Sequence, residues 1–385
     1  MNRLPTTFDI EQLNLSRTAI EAGKIPRGWK ELKKEADEKL NDPLYSIMDK
    51  ELLPASGDKH DYLSLGGYWW PDPSKPNGLP YIQKDGQFYP PSRTSQVDSI
   101  RLKDFCHAIN CYSLAYYLSG GDKRYGTRVV KLLDHFFLNP QSKMNPHLKY
   151  AQAIKGVCDG RGIGIIDAAH LYMVVDGIQI CSDLLSESQA KGLREWFEQF
   201  LDWLLTSSHG KEEKVHHNNH GTFYAATVSC IALYLDKPDI VRDLLIYETQ
   251  TRLSNHFEAN GSQPKELERT RCFHYSVYNL MAHYRLARYG ELIGVDIWNL
   301  KTNTGEPYMK AGIRFLLPYI AEPENWPYED ITGVEVLSYI SDGILGLLLQ
   351  YHRIFGSSDE LERAIEVAKI KLRDKRDWLV EGYTL

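Results

Sequence analysis

The sequence predicts an all-α protein, a closed or partly closed toroid of paired helices, on three observations. Apolar residues recur at helical spacing along nearly the whole chain, no series of alternating strands competes with them, and short turn segments separate the helices. In order, the periodic segments are 9–22, 27–40, 97–119, 122–137, 163–182, 186–206, 220–235, 238–256, 272–289, 308–320, 333–354 and 358–374. Punctuation such as "SGGDKR", "LDKPD" and "FGSSDE" makes tight reversals, so neighbouring helices pair antiparallel. No short repeat of the helical-scaffold kind accompanies them, which favours a toroid over an open solenoid. Three stretches lack the periodicity, at about 54–95, 138–160 and 257–271. Long irregular loops on a rigid helical scaffold are where binding and chemistry concentrate.

With 385 residues, 43% of them hydrophobic, the chain can bury a large core, and one domain over 1–385 is expected. No run reaches the roughly 18 uninterrupted apolar residues of a membrane helix. The richest, "ILGLLLQYHRIF", is broken by Gln350, His352 and Arg353, so no membrane span is expected. Six scattered cysteines without a CxxC pair read as small buried side chains. A net charge of −6 argues against a nucleic-acid partner, while leaving room for a local basic cleft that takes an anion. The N-terminal "MNRLPTTFDIEQL" has no apolar leader core, which is compatible with a cytoplasmic protein or with an exported one whose leader has been removed.

Two polar clusters and one aromatic loop stand out. The loop "GGYWWPDPSKPNGLPYIQKDGQFYP" concentrates Tyr68, Trp69, Trp70, Tyr81, Phe88 and Tyr89 among prolines and glycines. Any one ring could simply pin the loop; as a set they suit stacking on sugar faces. In "KVHHNNHGTFYAA", His216, His217 and His220 raise the question of a metal, but no carboxylate stands at ligand spacing and HExxH is absent. The asparagines read instead as a helix N-terminus, where Asn219 and His220 would meet an anion at the positive end of the macrodipole. No metal or cofactor is expected. In "PKELERTRCFHYSVYNLMAHYRLARYG", Arg269, Arg271, His274, Tyr275 and Tyr278 open an amphipathic helix. Arg271 one turn before Tyr275 would place a cation over a phenol, and a nearby arginine would lower the phenol's pKa. A plain interfacial tyrosine helix with solvated arginines is the alternative.

The motifs "GGYWWPDPSKPNGLPYIQKDGQFYP", "GRGIGIIDA", "HHNNHG" and "RTRCFHYSVYNL" stand in the order seen in alginate-lyase-domain polysaccharide lyases, and the chain resembles that family over roughly 45–350. The resemblance implies an incomplete (α/α) toroid of six or seven helical hairpins that cleaves a glycosidic bond beside a uronic acid. It further implies that Asn219, His220 and Arg269 neutralise the substrate carboxylate while Tyr275, or alternatively Tyr278, moves the proton. The lysine of the more familiar alginate lyases finds no matching position. Trp69, Trp70, Tyr68, Arg161, Tyr278, His274, Arg271 and His217 are expected as substrate contacts, and Arg161 with His170 of "DGRGIGIIDAAH" near the cleft.

These residue types suit β-elimination. The C5 proton of a uronate is barely acidic until its carboxylate is neutralised, which Asn219, His220 and Arg269 could do. One tyrosine can take the C5 proton and protonate O4 only where both lie on one sugar face, as in mannuronate and glucuronate; guluronate would need a second group, for which His220 is the candidate. Alginate and glucuronan both remain open as substrates. A glycoside hydrolase using Asp159, Glu266 or Glu268, or a non-catalytic glycan-binding protein, are the rival classes. A polyuronate is too large to cross an inner membrane, so a periplasmic or secreted enzyme is expected.

Overall fold

A computed structural model of the protein describes residues 6–333, 343–371 and 376–381. Its helices, in chain order, are α1 (Ile10–Glu21), α2 (Trp29–Glu38), α3 (Ser99–Leu118), α4 (Lys123–Leu133), α5 (Leu171–Ile180), α6 (Glu187–Thr206), α7 (Ser208–Lys214) and α8 (Asn219–Tyr234). There follow α9 (Pro238–Asp243), α10 (Gln250–His256), α11 (Pro264–Leu267), α12 (Cys272–Ile293), α13 (Tyr308–Ala321), α14 (Ile344–Phe355), α15 (Asp359–Lys371) and α16 (Asp377–Val380).

Sequence pattern sorts these helices into two layers. Helix α8 buries all but two of its residues, and α3, α5, α12 and α14 are also largely enclosed. Their partners are amphipathic: α6 buries the stripe Leu193, Trp196, Phe197, Phe200, Leu201 and Leu204 and turns charge outward. The enclosed helices pack in sequence, α3 on α5, α5 on α8, α8 on α12 and α12 on α14. Helix α16 then packs on α14 and on α1, and α1 on α3, which completes the ring of contacts. The result is an all-α toroid of paired helices.

The N-terminal segment is fastened to the ring interior. Thr6 N, Thr6 Oγ1 and Thr7 N donate to Asp176 Oδ1 of α5 at 2.8, 3.1 and 3.3 Å. Asp176 Oδ2 is buried without a partner among the described residues, and burial pushes the Asp176 carboxyl up to about 6.

Local departures from the sequence reading have physical causes. The segment at 163–182 begins as a 3₁₀ helix, Gly162–His170, and only then becomes α5. There Gly162 and Gly164 sit so close to Glu212 and Ala151 that a Cβ would clash with either neighbour. Helix α4 ends in a π turn (Asp134–Leu138), and another (Leu244–Thr249) joins α9 to α10. Helix α7 is an element the periodicity does not show. Of the segments 333–354 and 358–374, residues 334–342 and 372–374 lie outside the described residues. The stretch Gly162–Ile180 is long and apolar enough by length and composition to cross a membrane, but Asp167, His170, Asp176 and Gln179 interrupt it and 72% of its most apolar window is buried inside the protein, as a core helix would be.

The irregular segments carry small pieces of sheet. Strand β1 (Leu63–Leu65) lies in the first loop, with β2 (Trp69–Trp70) antiparallel to β3 (Ile82–Gln83). Strand β4 (Tyr150–Ala153), in the second, pairs parallel with β1 in the register Leu63↔Tyr150 and Leu65↔Ala153. Two loops far apart in sequence are thereby fixed to each other beside α3. Cys158 is half-buried and the other five cysteines are buried, all of them free thiols.

Candidate active site

The site forms where the N-terminal ends of α8 and α12 meet the first and third loops. Asn218 caps α8, its Oδ1 accepting the His220 backbone N–H at 3.2 Å, so Asn219 and His220 occupy the first helical positions. Two buried carboxylates hold this pair. Asn219 donates its backbone N–H to Glu266 Oε1 at 2.6 Å and its Nδ2 to Glu266 Oε2 at 2.7 Å. His220 Nδ1 lies 2.9 Å from Glu213 Oε1, at the C-terminal end of α7. Asn219 Oδ1 is buried and has no partner among the described residues. Burial pushes the Glu266 carboxyl up to about 7, against the lowering effect of the two Asn219 bonds.

Arg269 follows Glu266 by one turn, its backbone N–H donating to the Glu266 carbonyl at 3.2 Å. Its Nη2 donates to the Tyr275 hydroxyl at 3.0 Å, and its guanidinium lies 4.0 Å from the Tyr275 ring centroid. The Tyr275 and Tyr68 hydroxyls are 2.7 Å apart. Asp85 holds the arginine: Arg269 Nη2 and Nε donate to its carboxylate at 2.8 and 3.3 Å, and Thr270 Oγ1 at 3.0 Å. Gly86, at φ +72°, makes that approach possible, since a Cβ there would stand 2.4 Å from Thr270 Oγ1 and from Ile331.

Two expectations are corrected. The cation over the Tyr275 ring is Arg269; Arg271, at φ −120° and ψ 55°, precedes the first turn of α12 and extends instead toward Phe88, at 5.5 Å. Nor is the phenol's pKa lowered. Burial raises it strongly and outweighs the opposing pull of Arg269, so Tyr275 is protonated in the free protein. Tyr278 is likewise pushed up by burial and lies against Phe223, ring centroids 4.0 Å apart, and parallel to His274 at 5.6 Å.

Of the aromatic loop, Tyr68 reaches the centre of the site, packed on Phe88 at 4.9 Å. Trp69 stands half-exposed beside Arg161, at 5.7 Å, whose Nη2 donates to Gln152 Oε1 at 2.9 Å. Trp70 donates its indole N–H to the Gln87 carbonyl at 2.9 Å under Lys84. His217 is exposed on the turn before α8. His170 is placed on the wall of a cleft of about 420 Å³ adjoining Tyr278 and His274. The carboxylates considered for hydrolysis are dispersed: Glu266 is committed to Asn219, Glu268 pairs with Lys265 at 3.1 Å, and Asp159 lines a different groove.

Sequence reasoning missed Glu213, Asp85 and Gln152. Glu213 and Asp85 are legible only once α7 and the first loop are folded. Gln152 sits at φ +51°, a conformation costly for a residue with a side chain, and its N–H donates to Ser64 Oγ at 2.7 Å.

The alginate lyase family model matches residues 46–326. Over 99% of both chains, the fold superposes on a crystal structure of an alginate lyase from Bacteroides ovatus, with 33% identity and a TM-score of 0.87. Alginate lyase A1-III from Sphingomonas species A1 matches 99% of this chain and 97% of its own at 14% identity and a TM-score of 0.58, a likeness of fold. A tyrosine-to-phenylalanine variant of A1-III complexed with tetrasaccharide gives 15% identity, 99% and 96% coverage and a TM-score of 0.59. No curated protein matches the chain. A helical toroid with this cleft and these matches is an enzyme, a polysaccharide lyase. The chain belongs to the alginate lyase family.

Proposed function

We propose that the enzyme cleaves 1,4-linked polyuronates, alginate of the mannuronate type or glucuronan, by β-elimination, with Tyr275 as the proton-transferring residue. One observation carries the reading: the Tyr275 hydroxyl lies within hydrogen-bonding distance of both Arg269 Nη2 and Tyr68 Oη. Arg269 stabilises the phenolate once it forms, and the aromatic pair keeps the oxygen in place. The phenolate takes the C5 proton, the electron pair forms the C4–C5 double bond, the C4–O4 bond breaks, and the Tyr275 hydroxyl returns its proton to O4. Asn219, His220 and Arg269 stabilise the charge that moves onto the substrate carboxylate. The name of the Bacteroides ovatus protein supports alginate as the polymer. The half-exposed Trp69 and Trp70 suit sugar faces, and Arg161, Arg271, His274, Tyr278 and His217 are proposed as further substrate contacts. Guluronate, with its C5 proton on the opposite face, calls on His220 and is the poorer substrate. A substrate of this size is met in the periplasm or outside the cell.

The test is ultraviolet absorbance of unsaturated uronate ends during incubation with poly-mannuronate, poly-guluronate and glucuronan. Tyr275→Phe is expected to lower kcat by about 10²- to 10⁴-fold. An undiminished rate in that variant transfers the proton role to Tyr278 or His220. Reducing ends without absorbance would mean hydrolysis.

A further inference from the structure

We propose that the cleft of about 420 Å³ beside Tyr275 is a subsite for the carboxylate of a uronate residue remote from the scissile bond, anchored by Arg93, Lys103 and Arg285. The inference rests on the polyuronate reading above and adds where the chain's second charge is held.

Helical periodicity builds the walls. His274, Tyr278, Met281 and Arg285 recur at steps of four, three and four, so α12 presents them as one stripe, and Lys103 and His107 are one turn apart on α3. The cleft adjoins the candidate active site: Phe88 of its lining packs against Tyr68, whose hydroxyl meets that of Tyr275, and His274 of its wall precedes Tyr275 in α12. The Arg93 guanidinium lies 3.1 Å from the centroid of the same Phe88 ring, which steadies a long side chain at the mouth. Deeper in, Arg285 is held by its Nη1 donation to the Ala169 carbonyl at 3.0 Å and by the Tyr172 ring 3.9 Å below it.

The charge balance of the lining selects the ligand. Three permanent cations face one carboxylate, Asp167, which already accepts hydrogen bonds from Tyr62 and Ser64 and whose protonated form burial favours. His170, 5.3 Å from His107 ring to ring, is held neutral by burial and offers hydrogen bonding without charge. A chain of net charge −6 has concentrated positive charge here, beside aromatic rings, in a space of about 420 Å³, large enough for a sugar. Neutral glycans would leave the three cations unmatched, whereas a uronate two or more sugars along the polymer supplies the missing anion.

Lys103 and Arg93 are exposed at the rim, so removing both leaves the core intact. The double variant Lys103→Ala/Arg93→Ala is compared with the wild type on the polymer and on a length series of mannuronate oligomers. The expected result is a polymer KM raised about tenfold or more, kcat within about twofold, and loss of the preference for long over short substrates. Unchanged KM, or an equal loss on the shortest oligomer that is cleaved, overturns the subsite. Calorimetric binding of a mannuronate hexamer and of a neutral hexasaccharide to both proteins separates this from failure of the lyase reading. If the wild type forms no unsaturated ends, weaker hexamer binding by the double variant still supports the subsite, and equal binding overturns it.

Discussion

At the scale of single residues, burial rather than the nearest charge decides the protonation state of the site. Tyr275 has a guanidinium on its ring and on its oxygen, yet desolvation raises its pKa. A base that is protonated at neutral pH becomes active only as pH rises, so kcat/KM is expected to climb into the alkaline range without levelling off below about 10, the ordinary phenol value. A profile that levels off near neutrality would remove Tyr275 as the titrating base. Glu266 is the second such residue. Its carboxylate accepts two Asn219 bonds, and Glu266→Gln would set an amide donor against the Asn219 donor. Loss of a hydrogen bond to a charged group costs about 1.5–3 kcal/mol, so kcat is expected to fall roughly 10- to 100-fold. Steady-state kinetics showing wild-type kcat would reduce Glu266 to a packing role. The Asn–His and Arg–Tyr clusters were legible as residues, because their types suit an anion and a proton transfer. Their carboxylate partners were not, because Glu213, Glu266 and Asp85 reach them only through the fold.

At the scale of elements, what matters is where helices begin. Asn218 as N-cap sets Asn219 and His220 at the first positions of α8, and Asn218→Ala is expected to cost about 1 kcal/mol of stability, measured by denaturant unfolding. No change would mean that Glu266 alone fixes the start of α8. Arg271 shows the limit of periodicity arguments. Spacing relative to Tyr275 has meaning only inside the helix, and the residue falls one position before it. The first loop joins the third through Asp85 and Arg269, a link of two partly exposed groups whose function is positional. Asp85→Asn, which weakens the grip on Arg269, is expected to lower kcat with little change in melting temperature. Equal losses of both would mean that the loop simply comes apart.

At the scale of the whole molecule, the ring is fastened by a buried acid. Among the described residues Asp176 takes three hydrogen bonds from Thr6 and Thr7 on one oxygen and none on the other. Its folded pKa of about 6 lies above the usual 3.8, so the folded state binds the proton more tightly. The stability associated with that proton is fully present below about pH 4 and is lost as pH rises through about 6. Thermal melts are expected to show this decline in the wild type and not in Asp176→Asn; parallel curves would exclude Asp176 as its source.

The sequence by itself determined the all-α class, the helical pairs and their order, because hydrophobic period and turn chemistry are local properties of a chain. Residue type also brought forward Asn219 with His220 and the cluster of Arg269, Arg271, Tyr275 and Tyr278, within which the family resemblance pointed to Arg269 and Tyr275. Only the tertiary structure decided which arginine faces Tyr275, that Glu213 and Glu266 hold the His220 and Asn219 side chains, and that the phenol's pKa is raised. Each of these depends on distances between segments far apart in the chain and on exclusion of water, and neither quantity is written in local sequence.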